Sequence, residues 1–167
     1  MPCYHPLTAS DDAPLAALIR RILRDHGLAI PGTAYYDEAL DHLSEYYLAD
    51  PRRRAYLVLR DGDALIGGVG VAELPQLPAC AELQKLYLAE AYRGRGLGRE
   101  LLARAEAEAL RLGYRQIYLE THTNLAAALR LYHSAGYREI PRPAFVVHST
   151  MDRFYLKPLR GAALEER

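Results

Sequence analysis

The spacing of apolar residues changes character at about Ala55 and alternates after it. Over the first third it is helical: Leu15, Leu18, Ile19, Ile22 and Leu23 recur at intervals of three and four. Ser10, Asp11 and Asp12 precede this run as a capping side chain followed by acids, and Gly27 lies just past it as a stop. Cys3 to Leu7 forms a short opening strand on the same reading. Ala29 to Tyr36 holds Pro31 and Gly32 and reads as a loop. A weaker helix is predicted from about Asp37 to Leu48, with Leu40, Leu43, Tyr47 and Leu48 on one side and Pro51 as its end.

From Ala55 the pattern becomes that of strands. Tyr56 to Leu59 and Ala64 to Val71 flank Asp61-Gly62, a dipeptide that accepts the positive φ of a hairpin turn. Glu82 to Leu88 is the next strand, after Pro75 and Pro78. Gly94 to Leu112 reads as a helix with Leu97, Leu101, Ala105 and Leu112 on one face, and Gly113 closes it. Arg115 to Glu120 is again a strand, and Leu125 to Ala135 a helix stopped by Gly136. Phe145 to Val147 and Phe154 to Leu156 are the last two strands predicted. The order β-α-α-β-β-β-α-β-α-β-β implies an α/β (α+β) fold with a central mixed sheet and helices on both faces. One domain over 1–160 accounts for the chain, with 161–167 as a frayed tail.

Composition narrows the function classes. In 167 residues, half apolar and a quarter charged, 21 basic side chains balance 21 acidic ones. A net charge of zero argues against nucleic acid as a partner but leaves room for a small polyanion on a local patch. The two cysteines, Cys3 and Cys80, make neither a disulfide framework nor a metal spacing, so no metal is expected. No apolar run is long enough to span a bilayer, and the first residues lack the plan of a signal peptide. The expectation is a cytoplasmic protein with no membrane partner.

Chemistry concentrates in Tyr92-Arg93-Gly94-Arg95-Gly96-Leu97-Gly98-Arg99. Three glycines leave backbone N–H groups uncovered, and the helix starting there adds unpaired donors and a positive dipole end, which together suit an anion. A Walker loop requires Gly-Lys-Ser/Thr, whereas Gly98 is followed by Arg99-Glu100. A dinucleotide fingerprint requires G-x-G-x-x-G after a first strand, whereas these glycines are two apart and mid-chain.

The frame Arg93-x-x-Gly96-x-Gly98, directly after Leu83-Gln84-Lys85-Leu86-Tyr87-Leu88, resembles the acyl-CoA pyrophosphate loop of the GNAT superfamily of N-acetyltransferases. Leu131-Tyr132-His133-Ser134-Ala135-Gly136-Tyr137 resembles that superfamily's second signature, and the two are separated by the helix, strand and helix expected between them. The resemblance covers about Glu82 to Tyr137 and implies acetyl-CoA as acyl donor. It implies main-chain groups of Leu86, Tyr87 and Leu88 along the pantetheine arm. Arg93, Gly94, Arg95, Gly96, Leu97, Gly98 and Arg99 would lie around the pyrophosphate. Tyr132 would be the proton donor to the departing thiolate, although its helical spacing from Leu125 and Ala128 also suits a core tyrosine.

Glu82, eleven residues before Arg93, stands where some family members carry the base that deprotonates the acceptor; Glu120 and His122 are rivals. The need is real, since an amine of pKa near 10.4 is neutral only about 0.04% of the time at pH 7. The asparagine that often precedes the tyrosine by seven is replaced by Leu125; Asn124, one residue earlier, either serves the pantetheine or caps the helix. The acceptor side is drawn from Leu28 to Tyr36 and Phe145 to Asp152, with Tyr35, Tyr36, His148, Asp152 and Arg153 as candidates. The implied activity is acetyl transfer to a small-molecule or peptide amine, with a homodimer allowed. A non-catalytic acyl-CoA sensor and transfer of a longer acyl group are the alternatives.

Overall fold

Val58, Val69, Val71, Ile117 and Leu119 are each at most 1% exposed, and the strands that carry them make one seven-stranded sheet. The computed structural model describes residues 1–147 and 149–160; His148 and the tail 161–167 lie outside the described residues. The elements are β1 (Pro2–Pro6), α1 (Asp12–Asp25), α2 (Leu43–Ala49), β2 (Ala55–Asp61), β3 (Ala64–Glu73), β4 (Cys80–Leu88), α3 (Leu97–Arg111), β5 (Gln116–Thr121), α4 (Ala126–Ser134), β6 (Arg138–Ile140) and β7 (Arg153–Pro158). The sheet order is β1-β2-β3-β4-β5-β7-β6, antiparallel except where β4 meets β5. The mixed, mostly antiparallel sheet covered on both faces is therefore as expected.

Two cores sandwich the sheet. On one face α1 and α2 pack through Leu15, Ile19, Leu23, Leu43 and Tyr47 onto Tyr56 and Val58. On the other, Leu101, Leu102, Ala105 and Ala109 of α3 and Tyr132 of α4 cover Val69, Val71, Leu83 and Ile117. Each fully buried leucine or isoleucine contributes about 1.5–3 kcal/mol.

Three details depart from the pattern-based expectations. The penultimate strand is β6, not Phe145 to Val147. Gly136 at φ +88° turns the chain out of α4, and Arg138 to Ile140 pairs at once with Leu156 to Phe154. Pro141 and Pro143 lack N–H groups and end the strand. Phe145 then packs its ring on Tyr118, centroids 5.7 Å apart, so its apolar character serves a plug and not a ladder. The helix predicted from Gly94 begins only at Leu97, because Gly94 and Gly96 both take positive φ. The second helix is regular only over Leu43–Ala49; its first part is a 3-10 turn over Glu38–His42, capped by Asp37, whose carboxylate accepts from the Ala39 amide at 3.0 Å.

Asp11, read from the sequence as an acid for the helix dipole, is 1% exposed and ion-paired with Arg60 of β2 at 2.7 Å. It also accepts from the Thr8 amide at 2.8 Å. Among the described residues no helix is long and apolar enough to cross a membrane.

Candidate active site

The site exists because two parallel strands part. β4 and β5 pair only at Cys80–Gln116, Ala81–Ile117 and Glu82–Tyr118. Beyond Glu82, β4 stays with β3 through a bulge, which spends two residues, Lys85 and Leu86, against Val69 alone. Lys85 takes φ +50°, and its carbonyl accepts a hydrogen bond from the Tyr56 hydroxyl at 2.8 Å. The bend leaves a cleft between the C-terminal halves of β4 and β5.

One end of the cleft is a cavity of about 440 Å³ walled by Leu86, Tyr87, Leu88, the loop residues Arg93, Gly94, Gly96, Gly98 and Arg99, and one side of α4 from Ala127 to Ser134. Gly96 is the N-cap of α3, so the N–H groups from Gly96 to Arg99 have no helical acceptor; the first helical bond is that of the Glu100 amide to the Gly96 carbonyl at 3.1 Å. Arg99 donates to the Ser134 hydroxyl at 3.0 Å, which ties the loop to α4. Arg95 turns away, its guanidinium 5.0 Å from the Tyr92 ring, and Leu97, the first residue of α3, packs against the core. Neither lies on this wall.

The cleft continues into a second cavity of about 260 Å³, bounded by Glu82 to Tyr87, Leu119 to Thr121, Tyr132, Ser149, Met151 and the Gly32-Thr33-Ala34 stretch above. Tyr132 is 5% exposed, its ring against Tyr137 and Tyr155, and its hydroxyl has no hydrogen-bond partner among the described residues. Burial, with Tyr87 and Tyr155 nearby, pushes its phenol well above the ordinary value, so at neutral pH it is a proton donor.

Glu82 and Glu120 face the same cavity. Burial raises the Glu82 carboxyl above the usual carboxylate range, and the charge of Glu120 adds to this; Gln84 and Lys85 oppose it. The Gln84 amide nitrogen donates to Glu82 Oε1 at 2.8 Å, while Gln84 Oε1 accepts from the buried Tyr47 hydroxyl at 2.6 Å. Glu120 accepts from Tyr118 at 2.9 Å and Ser149 at 3.3 Å.

Two glycines of β3 make this network geometrically possible. A Cβ on Gly70 would stand 2.7 Å from the Tyr47 hydroxyl, and one on Gly68 would stand 2.7 Å from the Tyr56 hydroxyl. Without side chains there, both tyrosines cross β3 and reach the bulge of β4. Sequence reasoning passed over Gly67-Gly68-Val69-Gly70, although glycine inside a strand is itself a signal of close approach. It also passed over Gln84 and Lys85 as site residues.

Other candidates lie elsewhere. His122 is 3.9 Å from Asp152, which also takes two bonds from Thr123. Asn124 neither caps α4, whose N-cap is Leu125, nor lies on a cavity wall; its amide donates to the His26 carbonyl at the end of α1 at 2.9 Å. Tyr35 accepts from Arg24 at 3.4 Å beside Tyr36, which is exposed, and Arg153 pairs with Glu139. Among the described residues no group of three or more His, Cys, Asp or Glu side chains is gathered for a metal ion.

The model of the acetyltransferase (GNAT) family matches residues 18–137. The chain belongs to the GNAT acetyltransferase family. It is 34% identical over 141 residues to the uncharacterized N-acetyltransferase YjgM of Escherichia coli K12, covering 83% of each chain. Its fold is similar to a GNAT-family acetyltransferase from Staphylococcus aureus Mu50, with TM-score 0.83, 21% identity, and 96% and 100% of the two chains covered. It is likewise similar to yncA of Salmonella typhimurium, a structure with its cofactor acetyl-CoA, at TM-score 0.73 and 20% identity over 96% and 95% of the chains. As a GNAT member the protein is an acetyltransferase.

Proposed function

We propose that this acetyltransferase uses acetyl-CoA to acetylate a primary amine by direct attack within a ternary complex. The observation that carries the reading is the parting of β4 from β5 beyond Glu82. The unpaired N–H donors at the head of α3 lie at one end of that cleft, and a carboxylate-lined pocket lies at the other.

The diphosphate would lie against the N–H groups between Gly94 and Arg99, with Arg93 and Arg99 adding charge. Pantetheine would follow the exposed edge of Leu86 to Leu88. The thioester would then stop beside Tyr132. Glu82 would take a proton from the acceptor ammonium, its raised basicity suiting that task. The free amine attacks the thioester carbon, the C–N bond forms, and an N–H of Tyr87 or Leu88 steadies the oxyanion. The C–S bond breaks as the thiolate takes the Tyr132 proton, and the proton that the nitrogen sheds on becoming an amide passes through cleft water to the Tyr132 phenolate, while Glu82 returns its proton to solvent. Alignment of the two reactants can supply up to about 7–11 kcal/mol of the barrier reduction.

Release of free CoA from acetyl-CoA across a panel of amines tests this. Amine-dependent release supports it; tight acetyl-CoA binding with no release from any amine would make the chain a sensor.

A further inference from the structure

Lys85 is one of only two lysines in a chain with nineteen arginines. The other, Lys157, is paired with Glu106 at 2.8 Å. The Lys85 ammonium has no hydrogen bond or ion pair among the described residues, although the residue is half-buried on the wall of the 260 Å³ cavity with Glu82, Glu120 and Tyr132. A partly buried ammonium ordinarily finds a partner.

Its backbone is equally unusual. The φ of +50° is rare for a long side chain, and it persists because the Tyr56 hydroxyl holds the Lys85 carbonyl. A bulge beside a reaction site commonly re-aims one side chain, and here that side chain is the cavity's cation. Burial lowers the Lys85 ammonium below its ordinary value, with Asp37 and Glu82 opposing the shift. An arriving anion would oppose it further.

We propose that Lys85 receives a carboxylate of the acceptor, so that the amine acetylated belongs to a small amino acid or a close amino-carboxylate. This rests on the amine-acceptor reading given above. The cavity carries the complementary pattern: Glu82 and Glu120 suit the ammonium end, and Lys85 is left for the anionic end. A polyamine would bring a second cation against Lys85. A peptide N-terminus would offer only a neutral carbonyl, giving up a charge-assisted bond about twice as strong as a neutral one. Size agrees, since 260 Å³ falls just below the range of about 300–1,000 Å³ for drug-sized ligands.

The test compares kcat/KM for free amino acids, the matching amino-acid carboxamides, short peptides and a diamine, with CoA release as readout. The wild-type enzyme is expected to prefer the acids over their carboxamides at least tenfold. In Lys85→Met that ratio falls toward one, mainly through a raised KM for the acid, and Lys85→Arg restores part of it. Lys85→Asn provides a second neutral variant, because asparagine tolerates positive φ and keeps the bulge folded. Carboxamides, peptides or the diamine used as well as the acids by wild type would overturn the proposal. So would a preference that survives both neutral variants. CoA release from none of them would overturn the amine-acceptor reading itself, and this proposal with it.

Discussion

The Tyr47 hydroxyl donates to Gln84 Oε1 at 2.6 Å and thereby decides which way the Gln84 amide faces. A buried phenol offers one strong donor, so the amide oxygen turns to it and the NH2 turns to Glu82 Oε1 at 2.8 Å. The interaction favours the ionised form of a carboxylate that burial otherwise drives toward protonation.

Gln84→Leu removes that donor. The Glu82 carboxyl then moves further up, and the acid limb of the kcat/KM–pH profile moves to higher pH, because the base must be deprotonated to act. Tyr47→Phe leaves the amide free to turn, so a smaller displacement in the same direction is expected. A limb that moves to lower pH, or stays fixed in both variants, would contradict this coupling.

Glu82→Gln is expected to lower kcat by roughly 10²–10⁴-fold, the usual contribution of a positioned base, and to flatten the acid limb. Acetyl-CoA affinity, read by calorimetry, should change little, since Glu82 lies at the far end of the cleft from the glycine loop. A superimposable pH profile would return the base role to Glu120 or to water.

Tyr132→Phe separates chemistry from packing. The hydroxyl has no partner among the described residues, so its removal breaks no hydrogen bond and should not lower folding stability. Turnover should fall while acetyl-CoA binding holds. Unchanged turnover would make Tyr132 a core residue only.

Gly70→Ala places a methyl group 2.7 Å from the Tyr47 hydroxyl. Overpacking of this kind costs about 1–3 kcal/mol, visible as a lower Tm. The displaced Tyr47 should also shift the pH profile as Tyr47→Phe does. A lowered Tm with an unmoved profile would show that the glycine serves packing alone.

Asp11 and Arg60 give the fold an acid-sensitive joint. Burial alone would raise the Asp11 carboxyl, but Arg60 and Thr8 outweigh it and hold it below the ordinary value. Its ionised form therefore stabilises the fold above about pH 4, and that stability is lost as pH falls through the lower folded value. The Tm gap between wild type and Asp11→Asn should shrink on acidification; a gap independent of pH would contradict it.

The order of elements and the glycine loop were legible in the sequence because periodicity and N-terminal helix chemistry are local. Helical spacing marked α1, and Gly96-x-Gly98 marked the head of α3. The bulge at Lys85 was not legible, since it depends on tyrosines from α2 and β2 crossing a glycine-bare strand. Phe145 misled for the opposite reason: its apolar run is satisfied by Tyr118 in a loop, and no ladder is needed. Asn124 could not be assigned from spacing, because its partner at His26 is 98 residues away.

The central claim is that acetyl-CoA enters the cleft where β4 leaves β5, and the most direct measurement is a crystal structure of the protein with bound CoA. The expected result has pyrophosphate oxygens about 2.7–3.2 Å from the N–H groups of Gly96 and Gly98, with the sulfur directed at the Tyr132 hydroxyl. CoA bound on any other surface, or with its thiol directed away from Tyr132, would contradict it.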